Sequence, residues 1–598
     1  MKTNLKLIIG GIFITTTLFT VSSCKKFLEV EPISSFGNDY VFSSVTNAQK
    51  AVLGAYSALG GDQGYGIRLS MYYPYDNDEM MGQGGTPYPD NERRDIAHFN
   101  VQPANTQLAG PFNQLYTGIE RANICIDNIP KMDAYNNGSA SDQKELKRLY
   151  GEALALRAQF YFEIVRNWGD VPAQFTSSIN VSDPYNGRTD RDTIYNRIIR
   201  DLAVAAPLVP WRTESSVTSD RLSQGAIRAL RARYALFRGG YALRSDRTMK
   251  RNADYKTFYQ IAKDECTIIM ARADHKLNAS FQSVFKDGVN AHRFEPNGEV
   301  LWEVGMTGGS SGVGDSKLGY YNGPRQFTVA TPGTTALGNA ALTILPTYFY
   351  AFDANDKRRD VTCAPYDNNL ELTLRPRSMV TMLDGKFRRD WQTPSVLTSA
   401  SQYFGVNWPV IRFSDVLLMF AEADNELSAG PTAAAKAAFE QVRVRGFGGT
   451  ASLIGTTPSD YTGFFNAIVR ERQFEFGGEG IRKYDLIRWN MLASKIAETK
   501  ANLALMAAKS APYASLPATM YYTPNQATVV WLNSFYSPSP TTAPTGSANV
   551  AWVNPTTINS TLLAYYAVAF TPNKSELLPL PQSVIDANPK LGGQLYGY

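Results

Sequence analysis

Helical periodicity recurs in pairs along this chain, and that repetition restricts its fold more than any other feature. "YGEALALRAQFYFEIVRNWGDVP" sets Leu154, Ala158, Tyr161 and Val165 on one stripe and stops at Gly169 and Pro172. "TIYNRIIRDLAVAAPL" follows and is closed by Pro210. The pattern returns in "SQGAIRALRARYALFRGGY" with "YKTFYQIAKDECTIIMAR". It returns again in "FSDVLLMFAEADNELSAG" with "PTAAAKAAFEQVRVRG", where Gly430 and Pro431 read as the turn and Pro431 as the first helical residue. The last pair is "YTGFFNAIVRERQFEFGGEG" with "RKYDLIRWNMLASKIAETKANLALMAAK". These four pairs, over residues 148–272 and 411–509, predict a mainly α fold of stacked tetratricopeptide-like hairpins. The strict period of about 34 residues and its W-x2-L-G signature are absent, so the repeats are degenerate. Upstream, "FNQLYTGIERANICIDNI" repeats Leu115, Ile119, Ala122 and Ile126 at the same spacing.

The pairs are interrupted. Residues 60–110 are rich in Gly, Tyr, Asp and Asn, and residues 275–410 mix strand-like "EVLWEV" and "PVIRF" with glycine-rich loops. Together these predict a large irregular region with a few short strands, packed on the helix pairs in one domain, 41–598. Ser510–Asn573 carries no Asp, Glu, Lys, Arg or His over 64 residues, yet includes Tyr513, Tyr521, Tyr522, Trp531, Phe535, Tyr536, Trp552, Tyr565 and Tyr566. Disordered linkers are charged and poor in aromatics, so this segment is expected to be ordered coil packed on the helices or on a partner, with "SPSPTTAPTGS" as a mobile tip.

The N-terminus carries an address. Lys2 and Lys6 precede an uncharged stretch, Leu7–Val21, shorter than the roughly 20 residues of a spanning helix, which reads as a secretory signal over residues 1–23. It ends in Val21-Ser22-Ser23-Cys24, similar to a bacterial lipobox, which makes Cys24 the expected lipidation site and residues 24–40 a tether. The remaining cysteines, Cys125, Cys266 and Cys363, are odd in number and far apart, which argues against a disulfide framework. Only three histidines are present, with no HExxH, G-x-S-x-G or Walker pattern, so zinc sites and histidine triads are disfavoured and no metal ligands are assigned. Lys+Arg 59 against Asp+Glu 54 leaves no basic stripe for nucleic acid.

"VRERQFEFGGEGIRKYDLIRW", Val469–Trp489, holds nine charged residues and three glycines in 21 positions. Glu471 and Glu475 fall at i,i+4 on a helix, and Arg482 and Asp485 at i,i+3. Arg472, Arg482 and Arg488 are the expected partners of Glu475, Glu479 and Asp485, with Gly477, Gly478 and Gly480 turning the backbone. The stretch reads as a structural ion-pair network and not as a catalytic site.

This stretch resembles the SusD/RagB family motif E-R-x-x-E-L-x-x-E-G-x-R-x-x-D-L-x-R-W, departing at Phe476 and at Gly478, where an aromatic is usual. "CKKFLEVEP", "LYTGIERANICIDNIP", "GEALALRAQFYFEIVRNWGDVP" and "WPVIRFSDVLLMFAEADNE" are similar to further family motifs. So is "LLPLPQSVIDANPKLGGQLYGY", which ends Gln594-Leu595-Tyr596-Gly597-Tyr598 where Q-N-P-G-Y is usual. The resemblance implies a SusD-like fold and an outer-membrane lipoprotein facing outward. It implies a role in capturing oligosaccharide for a SusC-like TonB-dependent transporter, with peptides or another nutrient as the alternative cargo. It carries no catalytic residues. By position, it points to two loops as glycan-binding candidates: Tyr72, Tyr73, Tyr75, Asp76, Asn77 and Asp78, and Tyr320, Tyr321 and Asn322. Asp76, Asp78 and Glu79 are also weighed as a Ca²⁺ site, though EF-hand spacing is absent. Rival readings are a surface glycoside hydrolase, which needs two carboxylates across a cleft, and an adhesive surface protein.

Overall fold

In the computed structural model, the described residues are 37–598, apart from 83–88, 216–217, 294–295, 310, 328–335 and 370–372. The expected signal, Cys24 and most of the tether lie outside them. Eleven helices form the frame: α1 (Val45–Tyr56), α2 (Ala109–Asn128), α3 (Ala140–Trp168), α4 (Arg191–Ala205), α5 (Gln224–Gly239), α6 (Tyr255–Arg272), α7 (Phe413–Ser428), α8 (Ala433–Gly446), α9 (Tyr461–Phe476), α10 (Arg482–Arg488) and α11 (Leu492–Ala507). Each of α1 to α9 packs on the next in order. The four expected pairs are therefore α3/α4, α5/α6, α7/α8 and α9 with α10 and α11.

Local chemistry sets the ends. Ser139, Asp190, Ser223, Thr432 and Asp460 each cap a helix by accepting a backbone N–H in its first turn. The Ser139 cap starts α3 well before the periodic stretch that reveals it. Pro431 precedes the cap residue Thr432, so it sits outside α8 and not at its first position. The long last helix breaks into α10 and α11 at Asn490, whose φ of +57° ends the first piece.

The irregular region leaves the stack after α6 and returns before α7, yet α6 and α7 pack directly against each other. Residues 273–412 are thus an excursion from a continuous solenoid. Its exit and return are tied by β1 (Val300–Val304), which pairs antiparallel with β6 (Trp408–Arg412), the two segments that read as strands. Between them lie β2 (Gln326–Phe327), β3 (Ala336–Leu337), β4 (Tyr366–Asn368) and β5 (Leu374–Pro376), a small sheet ordered β5-β4-β2-β3 in which only β4 and β2 run parallel.

Ser510–Asn573 is mostly irregular, as expected, but contains a small sheet. β7 (Thr519–Thr523) sits between β8 (Val530–Trp531) and β9 (Ala548–Ala551) in an antiparallel sheet. Alternation along these strands was hidden by their length. The segment is fixed to the body by buried Trp552, whose indole N–H donates to Tyr350 Oη at 2.7 Å, and by Phe535 against Phe349 with centroids 5.1 Å apart. Within the proline-rich tip, Ser539 Oγ both donates to Thr519 O and accepts from Thr519 N, at 2.8 Å each.

Candidate ligand-binding cleft

Val469–Trp489 bolts the solenoid to the excursion. Helix α9 buries Glu471 and Glu475, but their cations arrive from elsewhere. Glu475 accepts from Arg412 (2.9 Å), Arg445 (2.5 Å) and Arg358 (3.2 Å); Glu471 accepts from Arg358 (2.6 Å) and Arg443 (3.0 Å). Glu479 binds Arg412 (2.7 Å) and Lys386 (2.6 Å). The expected pairing of Glu475 and Glu479 with Arg472, Arg482 and Arg488 therefore does not form. Strand β6 and the 358–386 segment insert their own cations, which no local spacing reveals. Asp485 alone keeps its expected partners, Arg472 (2.7 Å) and Arg488 (2.8 Å), while Arg482 reaches Asp78 at 2.7 Å. Burial alone would raise the Glu475 carboxyl, but Arg445, Arg412, Arg358 and Lys386 outweigh it and hold it at about 2. Of the three glycines, Gly478 (φ +83°) and Gly480 (φ +66°) turn the chain; Gly477 instead admits Tyr348, whose hydroxyl would lie 2.1 Å from a Cβ.

The first candidate loop is interior, which corrects its assignment as a ligand surface. Tyr73 Oη donates to Gln107 O (2.7 Å) and Tyr75 Oη to Gly478 O (3.1 Å). Asp76 accepts from the amides of Gly82 (2.7 Å) and Ala567 (2.6 Å) and faces His98 at 3.1 Å. Asn77 Oδ1 accepts from Glu79 N and Met80 N, and Asp78 is clamped by Arg482. These polar groups brace backbone because the loop is covered, and a buried carboxylate needs such partners. Asp76 and Asp78 thus serve separate protein partners, and among the described residues no three His, Cys, Asp or Glu side chains converge on a metal position. Asn322 is likewise spent, donating to Asp384 and accepting from Gly319 N. Buried Tyr72 and Tyr321 do meet across the two loops, at half-buried Arg93, whose guanidinium lies 5.9 Å from the Tyr321 centroid; half-buried Tyr320 packs on Phe404. Cys125, Cys266 and Cys363 are free and buried, and burial pushes the Cys125 thiol up to about 12.

A concave surface opens elsewhere. Between the 359–391 segment and the 527–535 segment lies a cleft of about 600 Å³, separate from a groove of about 830 Å³ beside α6 and α8. One wall carries Trp391, Tyr366, Arg359 and Arg388; the other carries Trp531 and Phe535. Trp531, Phe535 and Trp552 pack edge-to-face and tilted against one another with centroids 5.2–5.7 Å apart, which supports the second wall. Arg359 donates to Asp360 through Nε (2.8 Å) and Nη2 (3.2 Å), and to Tyr536 Oη through Nη1 (2.7 Å). Arg388 repeats the arrangement with Asp390 through Nε (3.0 Å) and Nη2, and with Tyr366 Oη through Nη1 (2.6 Å). The walls are latched where Leu374 N donates to Gln526 O at 2.8 Å. A slot of this size, with aromatic faces and a few fixed polar groups, suits a small organic ligand.

The SusD family model matches residues 375–598, and a second model, described as "Starch-binding associating with outer membrane", matches residues 26–236. The chain belongs to the SusD family. SusD-like protein P25 of Formosa agariphila is 26% identical over 519 residues, covering 80% of this chain and 90% of that one. A SusD homolog from Bacteroides thetaiotaomicron superposes with a TM-score of 0.73 at 22% identity, covering 93% of this chain and 98% of its own. Surface glycan-binding protein A from Bacteroides thetaiotaomicron, in complex with laminarihexaose, superposes with a TM-score of 0.63 at 18% identity, covering 92% and 99%.

Departures from the SusD motifs have local causes. Gly478 stands where the family usually has an aromatic because its φ is positive and Asp384 Oδ2 would lie 3.0 Å from a Cβ. At the C-terminal departure, Tyr596 Oη accepts from Asp170 N (2.9 Å) and Tyr598 Oη donates to Leu577 O (2.8 Å), anchoring the tail on the corner after α3. The cleft residues Arg359, Arg388, Trp391 and Trp531 were not singled out from sequence as a site. Their only sequence signal is the uncharged aromatic segment that supplies one wall.

Proposed function

We propose that this SusD-family chain is a lipid-anchored protein of the outer membrane, facing outward, that captures an oligosaccharide in the cleft and passes it to a SusC-like TonB-dependent transporter. The observation that carries this reading is the cleft itself: half-buried Trp531 offers an aromatic face for the C–H side of a sugar ring, Trp391 lines the opposite wall beneath Arg388, and Asn368 and two arginine–aspartate pairs supply donors and acceptors for hydroxyls. The laminarihexaose complex of a protein with this fold supports the ligand class, and the description of the N-terminal family model supports the membrane. Capture without cleavage is favoured because Asp360 and Asp390 each commit both oxygens to an adjacent arginine, whereas a hydrolase needs one carboxyl to deliver a proton and one to attack or activate water.

Trp531→Ala tests the site. Calorimetric titration with a panel of oligosaccharides is expected to show affinity about tenfold or more below the parent, as for truncation of an aromatic anchor. An unchanged affinity, with melting confirming the fold, would remove the cleft from this role.

A further inference from the structure

The cleft contains one arrangement twice, and its chemistry specifies a ligand class. In each copy an arginine gives its side-on fork, Nε and Nη2, to a neighbouring aspartate and one Nη1 hydrogen to a tyrosine hydroxyl: Arg359 with Asp360 and Tyr536, Arg388 with Asp390 and Tyr366. Each guanidinium also lies against an aromatic ring, Arg359 at 5.3 Å from the Phe349 centroid and Arg388 at 4.6 Å from that of Trp391. A guanidinium binds carboxylate or sulfate best through such a fork, with two parallel N–H···O bonds. Here both side-on forks are already filled, and by groups of the same sign as an anionic ligand. An anion entering the cleft must displace an aspartate or sit beside it. Unfilled N–H donors remain on each guanidinium, and the aspartates and tyrosines keep spare lone pairs, which matches neighbouring hydroxyls that both donate and accept.

We infer that the cleft selects neutral oligosaccharides and rejects those bearing uronate or sulfate, and that the two matched arginine–aspartate–tyrosine groups serve two sugar residues of one chain. The inference rests on the proposed glycan-capturing function. It adds selection by charge, with a filled fork in place of the open one an anion would need. Lys286 also lines the cleft and, among the described residues, is the one cation there that makes no ion pair, so a weak general attraction for anions remains at its edge. It is exposed and lacks the fork geometry, so it gives no bidentate grip.

The test uses the mature lipid-free chain and matched pairs of oligosaccharides, one neutral and one carrying uronate or sulfate on the same backbone, measured by calorimetry at low and high salt. The parent is expected to prefer the neutral member by tenfold or more, with affinity unchanged by salt. Asp390→Asn opens the Arg388 fork. It is expected to lose about tenfold for the neutral member and gain about tenfold for the anionic one, the gain disappearing at high salt. Asp360→Asn, at an exposed carboxylate, is the second variant and is expected to shift preference in the same direction. Equal or tighter binding of the anionic member by the parent overturns the inference while leaving glycan capture standing. So does a neutral preference that neither variant changes. No binding of any oligosaccharide overturns the proposed function, and this inference with it.

Discussion

Glu475→Gln is the perturbation that most sharply probes how the two halves of the molecule are joined. The carboxylate is fully buried among Arg358, Arg412 and Arg445, so the substitution keeps shape and removes the charge that three guanidinium groups surround. Holding the carboxyl at about 2, against an ordinary 4.5, corresponds to about 3 kcal/mol of stabilisation in favour of the ionised folded state. Removing one partner of a buried pair costs roughly 3–5 kcal/mol, because the remaining charges stay buried and uncompensated. The two routes agree on about 3 kcal/mol. Because the folded value is depressed, the contribution is present in full above the ordinary glutamate range and is lost as pH falls from about 4.5 to about 2. Denaturant unfolding followed by tryptophan fluorescence is therefore expected to show the parent more stable than the variant by about 3 kcal/mol at neutral pH, with the gap closing toward pH 2. A gap under about 1 kcal/mol at neutral pH, or one that persists unchanged in acid, would refute the reasoning.

Two further outcomes follow from the same physics and from the N-terminus. Burial pushes the Glu303 carboxyl up to about 7 despite hydrogen bonds from Ser219 and Asn407, so its cost to the fold grows as pH rises from the ordinary glutamate range to about 7. Glu303→Gln is expected to be more stable than the parent by on the order of 2 kcal/mol at pH 8 and no more stable at pH 4, in thermal melts across that range. Cys24→Ala is expected to abolish labelling by a fatty-acid probe and release the protein from the membrane fraction; a variant that stays tethered contradicts the lipobox reading.

The parts of this structure that were legible in sequence are those written in local periodicity. Helix pairs announce themselves through Leu154, Ala158, Tyr161 and Val165, and β1 and β6 through short β-branched runs. The ion-pair stretch was recognisable as structural, because buried charges of both signs at helical spacing require partners. Which partners they take was not legible: Arg358, Lys386 and Arg412 lie 63 to 117 residues from Glu475 and Glu479 and meet them only after the excursion folds back. The same limit governed the candidate loops. Tyr73, Asp76 and Asp78 look like surface chemistry in a glycine-rich stretch, yet their partners Gln107, Ala567 and Arg482 cover them from distant segments. The cleft joins residues 359–391 to residues 527–535 across more than a hundred positions, so its two walls have no shared pattern to read.

The central claim is that an oligosaccharide binds between Trp391 and Trp531. A crystal structure of the mature chain soaked with a neutral oligosaccharide tests it most directly. The account predicts sugar density in the cleft, with a ring against the Trp531 indole and hydroxyls on the Arg359–Asp360 and Arg388–Asp390 pairs. Ordered sugar seated instead at Arg93 and Tyr321, with the cleft empty, would contradict it.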